Sequence, residues 1–173
     1  MDQLKFSFEY LFNYYDFKIE DLYLSNIFFL QANPNSEEIW LAAVKLESEN
    51  NAYARAQKLL TRARDSAPTC RVYMKSAKLE WGLDNREEAL RLVDGGLKLF
   101  NDETAEKLWL MKTQLELELG RRHDARSAFQ AGVKKCTQCI PLWCAYADFE
   151  LKEGQVLTPG LFFNHNAAFA GNN

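Results

Sequence analysis

Histidine is close to absent from this 173-residue chain, which has only His123 and His165. That leaves little from which to build a histidine-rich metal site or a nucleophile–histidine pair. Cysteine is also sparse: four residues do not make a disulfide scaffold. Cys136-x2-Cys139, with Cys144 beyond it, falls short of the four ligands zinc usually takes, and neither histidine completes a familiar spacing. A Cys136–Cys139 redox pair has no βαβ setting around it. The eight glycines form no phosphate loop, and Gly95-Gly96 lies inside a helical pattern. No apolar run is long enough to span a membrane. A net charge of -3 and a pI near 5.5 give no electrostatic reason for tight binding to nucleic acid or anionic lipid. Glu9, Asp16, Glu20 and Asp21 interrupt the first apolar stretch, so no secretory signal is expected. The expectation is a reduced, intracellular, non-catalytic protein without cofactor, metal or membrane.

What is present is a repeat. The segments IWLAAVKLE, VYMKSAKLE, LWLMKTQLE and LWCAYADFE end at Glu47, Glu80, Glu116 and Glu150. Their aromatic residues, Trp40, Tyr73, Trp109 and Trp143, are spaced by 33, 36 and 34 residues, and the glutamates follow with the same spacings. Seven residues are almost two turns of α-helix, so each aromatic shares a face with its glutamate. Between them run an apolar column (Leu46, Leu79, Leu115, Phe149) and a small or β-branched one (Val44, Ala77, Thr113, Ala147). The period is helical, not the alternation of a strand.

A second helix follows each of the first three segments, in ARAQKLLTRAR, EEALRLVDGGLK and DARSAFQAGVKK. Ala56, Ala89 and Ala125 keep the 33 and 36 offsets, and so do Ala63, Gly96 and Gly132 seven residues on. Small residues two turns apart let a neighbouring helix approach closely. Leu60, Val93 and Phe129 supply bulk beside them, and Gly95 falls outside the column. The joints agree: Ser36 is placed to cap the first helix, Ala67-Pro68-Thr69 ends the first pair, and Asp84-Asn85 and Gly120 separate later helices. These columns predict an all-α, right-handed solenoid of antiparallel helix pairs with about three and a half repeats.

Trp143, Tyr146, Phe149 and Glu150 complete a W-x2-Y-x2-F-E pattern that resembles the half-a-TPR (HAT) repeat. Residues 33–84 resemble HAT-repeat splicing factors of the U4/U6·U5 tri-snRNP, and residues 85–153 do so more loosely. The resemblance implies a nuclear scaffold in pre-mRNA splicing whose partners are U5 and U4/U6 snRNP proteins. Those proteins carry many more repeats, so the chain reads as an excerpt of three repeats and a half. Two other functions stay open: direct RNA binding, and a shortened copy without its parent's function. Self-association of the array is a further expectation.

The ends depart from the repeat. Residues 1–32 are aromatic-rich, and stepping the small columns back by 34 meets Leu22 and Phe29. They read either as a degenerate cap or as a segment outside the fold. Residues 33–153 form the array. Residues 154–173 read as an irregular tail, because Pro159 stands where a second helix would need alanine.

Two surface features have a plain reading and a functional one. Arg55, Lys58, Arg62 and Arg64, then Arg71, Lys75 and Lys78, form basic helix faces: solvated surface first, an RNA-contacting patch second. The glutamate column is expected to bond to neighbouring helices rather than to catalyse, and the tryptophan column to pack in the core.

Overall fold

The computed structural model describes residues 32–100 and 105–154. The readings of 1–31 and 155–173, including those of His165 and Pro159, therefore fall outside the described residues. Seven helices have both ends among the described residues: α1 (Glu37–Glu49), α2 (Tyr53–Ser66), α3 (Cys70–Gly82), α4 (Arg86–Leu99), α5 (Glu106–Glu118), α6 (Arg122–Lys135) and α7 (Ile140–Lys152). No strand occurs among the described residues, so the class is all-α, as the helical period predicts. The odd-numbered helices carry the aromatic–glutamate pattern and are called A helices below; the even-numbered ones, carrying the small columns, are B helices.

The chain divides into two compact units at Pro68–Thr69. In the first, α1 packs on α2. In the second, each helix packs on the next from α3 to α7, and the A helices α3, α5 and α7 also touch in succession. Layered A–B pairs of this kind bury a continuous core that no single pair could bury alone.

The A helices end alike. Asn51, Asp84, Gly120 and Gly154 take the left-handed conformation, with φ of 56°, 66°, 73° and 70°. Asparagine, aspartate and glycine are the residues that tolerate it best. The N–H groups of Ala52, Asn85 and Arg121 then reach back to the carbonyls of Glu47, Glu80 and Glu116 at 2.8, 2.9 and 2.8 Å. Each closes a Schellman turn, which reverses the chain in three residues and sets the B helix antiparallel.

The N-termini are less uniform. Ser36 sits at the first N-cap, but its hydroxyl donates to Glu38 and caps no backbone N–H. Thr69 does cap α3, accepting from the Val72 N–H at 3.2 Å. At α7 the cap is the Cys139 sulfur, which accepts from the Leu142 N–H at 3.3 Å.

Close packing explains the small column. A Cβ added at Gly96 would lie 2.9 Å from Leu108 Cδ1 and 3.1 Å from Tyr73 Cβ. At Gly132 it would lie 2.9 Å from Leu142 Cδ2 and 3.2 Å from Trp109 Cβ. Each B helix of the second unit is thus gripped between its own aromatic and the leucine before the next one. The helix propensity lost by glycine, about 1 kcal/mol, is offset by this approach. Gly95 lies beside the Tyr73 ring, where a Cβ would sit at 3.4 Å, an ordinary contact.

Candidate interaction surface

Trp40, Glu47, Ala56 and Ala63 lie in the first unit, and all four are buried. In the second, Ala89, Gly96, Trp109, Glu116, Ala125, Gly132 and Glu150 are buried, while Tyr73, Glu80 and Trp143 are half-buried. The aromatic column carries a hydrogen bond that its spacing did not announce. The indole N–H of Trp40 donates to the Pro34 carbonyl at 2.8 Å, and that of Trp143 to the Thr137 carbonyl at 3.0 Å. Both partners are six residues back and tie the joint to the helix it precedes. The Trp109 N–H has no partner among the described residues, and position 103 lies outside them. Tyr73 packs edge-on against Phe100, ring centres 6.0 Å apart.

The glutamate column is one position with four environments. Glu47 accepts from Arg55 of α2 at 2.7 Å. Glu80 accepts from Asn85 at 2.9 Å. Glu150 is held by both arms of Arg126 on α6, at 2.8 and 3.0 Å, while the guanidinium lies 5.3 Å from the Phe149 ring centre. Glu116 has no such clasp: Arg121 stands 3.9 Å off, and Oε2 has no hydrogen-bond partner among the described residues. Burial, and after it the charge of Asp124, raises the Glu116 carboxyl above the usual carboxylate range. The register accounts for the difference. Position 55, an arginine in the first repeat, is occupied by Glu88 and Asp124 in the next two. The counterpart of Arg126 one repeat back is Leu90.

The A-to-B turn edge of the second unit is laced across repeats. Trp81 and Arg86 both donate to Glu118, at 2.8 and 2.9 Å. These two bonds, Arg86 first, hold the Glu118 carboxyl below its usual range. Arg121 pairs with Glu87, and Arg122 with Glu153 at 2.5 Å. Glu118 is largely solvent-exposed, so screening keeps its pairing weak. Most arginines on this edge are therefore already engaged.

The cysteines do not point to chemistry. Cys136 and Cys139 are buried, and burial pushes the Cys139 thiol up to about 11. A thiol so protonated is a poor nucleophile and metal ligand. Among the described residues no three His, Cys, Asp or Glu side chains gather as ligands, and no helix is long and apolar enough to cross a membrane. His123 is exposed at the start of α6, beside Asp124 at 3.4 Å.

The exposed A-helix face is different. On α3, Arg71, Lys75 and Lys78 are placed at i, i+4 and i+7, and Lys107 on α5 is the register equivalent of Arg71. Lys75, Lys78 and Lys107 make no ion pair or hydrogen bond among the described residues. Half-buried Met74 and Leu110 occupy equivalent places beside them. The basic stripe on α3 was visible in the sequence. Its continuation onto α5 needed the A–A stacking.

No family model matches the chain. It is 53% identical over 54 residues to human pre-mRNA-processing factor 6, covering 31% of this chain and 6% of that protein. It is 44% identical over 111 residues to the fission yeast (Schizosaccharomyces pombe) pre-mRNA-splicing factor prp1, covering 64% of this chain and 12% of that one. The chain thus spans a small fraction of the length of these relatives. Among solved structures it superimposes on YrrB, a TPR protein described as having an unusual peptide-binding site, with a TM-score of 0.55 at 14% identity. That match covers 75% of this chain and 66% of YrrB. A thermophilic TPR protein of Thermus thermophilus also scores 0.55, at 16% identity, covering 73% and 70% of the two chains. At such identities these structures speak to the fold alone. By fold the described helices form a TPR-like array of helix pairs, and in sequence the chain is similar to a Prp6-like HAT segment of the splicing factors.

Proposed function

We propose that the chain is a nuclear protein-docking scaffold in pre-mRNA splicing, binding protein components of the U5 and U4/U6 snRNPs during tri-snRNP assembly. The observation that carries this reading is the 53% identity over 54 residues to pre-mRNA-processing factor 6. The mechanism is presentation of surface: helix pairs locked by small-residue seams hold exposed A-helix side chains at fixed spacing, so that a partner meets a preformed face. On this reading residues 33–153 are the working array, and the repeat positions from Trp40 to Glu150 maintain it rather than touch the partner.

The test is capture from nuclear extract on the immobilised chain, with recovered proteins identified by mass spectrometry. Enrichment of U5 or U4/U6 snRNP proteins over a beads-only control is the expected result. Recovery of none above background overturns the proposal.

A further inference from the structure

We infer that the buried carboxylate of Glu116, with Asp124 at its rim, is a docking point for an arginine side chain of a partner protein. The inference rests on the scaffold reading above and names one chemical group that the partner brings. Glu116 is then the exception to the rule that the repeat positions maintain the array rather than touch the partner.

Most buried polar groups in folded proteins have a hydrogen-bond partner, so one without it calls for a reason. Glu116 is 6% exposed, and its Oε2 has no partner among the described residues. The equivalent carboxylates of α1 and α7 are buried as deeply, and each is held by an arginine of this chain: Glu47 by Arg55, Glu150 by Arg126.

The neighbours of Glu116 have no cation to spare. The charged groups acting on it are Asp124, Arg121, Lys112 and Asp94. Lys112 holds Asp94 at 2.6 Å, and Arg121 pairs with Glu87 while standing 3.9 Å from Glu116. Glu116 and Asp124 are the carboxylates left over, and His123 beside Asp124 adds charge only when protonated. Leu90, in the place that Arg126 takes one repeat on, has no side-chain donor.

The first repeat shows the way in. The Arg55 side chain stays 43% exposed while its Nε donates to Glu47 at 2.7 Å. A guanidinium at that register position therefore touches the buried carboxylate without leaving the solvent. In the third repeat the position belongs to Asp124, whose side chain is 59% exposed. The shorter aspartate does not span that route, and it sets a second carboxylate beside it.

Chemistry selects the ligand. A guanidinium is planar, always charged and weakly hydrated, and its fork bridges carboxylate oxygens. Lysine offers a compact, strongly hydrated ammonium, which loses more on entering a buried site. A metal ion is a poorer occupant, since no three ligating side chains gather among the described residues. The site lies on the side of α5 turned to the B helices, where Trp109 packs on Gly132 of α6, and so apart from the exposed A-helix face. A partner arginine relieves a buried, unmatched charge, which makes the contact selective for the partner that carries one.

Carbon-13 NMR of the Glu116 carboxyl in the full chain tests this, with the signal assigned by its loss in Glu116→Gln. The probe is the blocked peptide acetyl-Gly-Arg-Gly-amide; the comparisons are the same peptide with citrulline or lysine for arginine, and magnesium chloride. The expected result is a saturable shift with the arginine peptide, affinity about tenfold weaker for the other two peptides, and no response to magnesium. Asp124→Arg places a guanidinium at the register position of Arg55. It should abolish the peptide's effect and raise the circular-dichroism melting temperature, because the site is then filled from within the chain. Asp148→Asn, altered at an exposed carboxylate of α7, should bind as the unaltered chain does. No saturable shift, equal affinity for the citrulline or lysine peptide, or an Asp124→Arg chain that still binds or melts lower overturns the inference. A response to magnesium alone overturns it in favour of a metal site. Capture of snRNP proteins by Asp124→Arg as well as by the unaltered chain would leave the scaffold reading standing and remove this site from it.

Discussion

Glu116 and Glu150 hold the same place in successive repeats, seven residues after a tryptophan, and are almost equally buried, yet their surroundings are opposite. Glu150 is clasped by Arg126 and backed by Phe149. Glu116 faces Asp124 where the first repeat has Arg55, and Leu90 where the next has Arg126. Repeat register therefore fixes where a side chain goes, and in three of the four glutamates, Glu80 being half-buried, it also removes most of the water. It does not fix the charge it meets there, because that depends on residues in two other helices that vary independently.

The contrast can be broken most severely at Phe129. Its ring stacks on Tyr146 at 5.3 Å and touches Phe149 at 5.4 Å, holding α6 against α7 where Arg126 and Glu150 meet. Phe129→Ala should cost about 3 kcal/mol or more in urea denaturation, the usual effect of emptying an aromatic core site. Glu150 would then lose its enclosure and become more like an ordinary surface carboxylate.

Two adjacent glycines repeat the lesson on a smaller scale. Gly96→Ala forces a Cβ to within 2.9 Å of Leu108 and 3.1 Å of Tyr73. Overpacking outweighs the gain in helix propensity, for a net loss of about 1 kcal/mol. Gly95→Ala meets only the Tyr73 ring at 3.4 Å and should gain up to about 1 kcal/mol. Thermal melts of the two variants should shift in opposite directions.

Glu116→Gln sharpens the comparison most cleanly. A buried carboxylate without a hydrogen bond at Oε2 destabilises the fold, and removing its charge should stabilise by about 1 kcal/mol at neutral pH. The sign of the pH dependence follows from the raised value. The folded state binds this proton more tightly than the unfolded chain, so the penalty is present above the folded value and is relieved as pH falls through it. The advantage of Glu116→Gln should therefore shrink on acidification, seen in denaturation midpoints measured across that range.

Glu118→Gln is the smallest case and has the reverse sign. Its carboxyl is held low by Arg86 and Trp81, so its contribution is present above the unfolded value and lost as pH falls through the folded one. Since the pair is largely exposed, the loss should stay below about 1 kcal/mol and fade in high salt.

Much of this was legible in the sequence. The aromatic, glutamate and small-residue columns repeat with one set of offsets, because the same packing problem is solved in each repeat. The left-handed column Asn51, Asp84, Gly120 and Gly154 keeps the same offsets, but three residue types share it, so it does not read as a column. The Ser36 cap was expected and is not made, while the cap at α7 comes from Cys139, a residue type that advertises no capping. Glu116's isolation and the two-helix basic face were out of reach for a different reason: both depend on which helices become neighbours, which periodicity along the chain does not encode.

The most direct measurement is the titration of the Glu116 carboxyl by carbon-13 NMR, in the unaltered chain and in Asp124→Asn. A midpoint above the ordinary glutamate range, falling when Asp124 loses its charge, is the expected result. A midpoint at or below that range, unmoved by Asp124→Asn, would contradict the claim that register sets position while neighbours set charge.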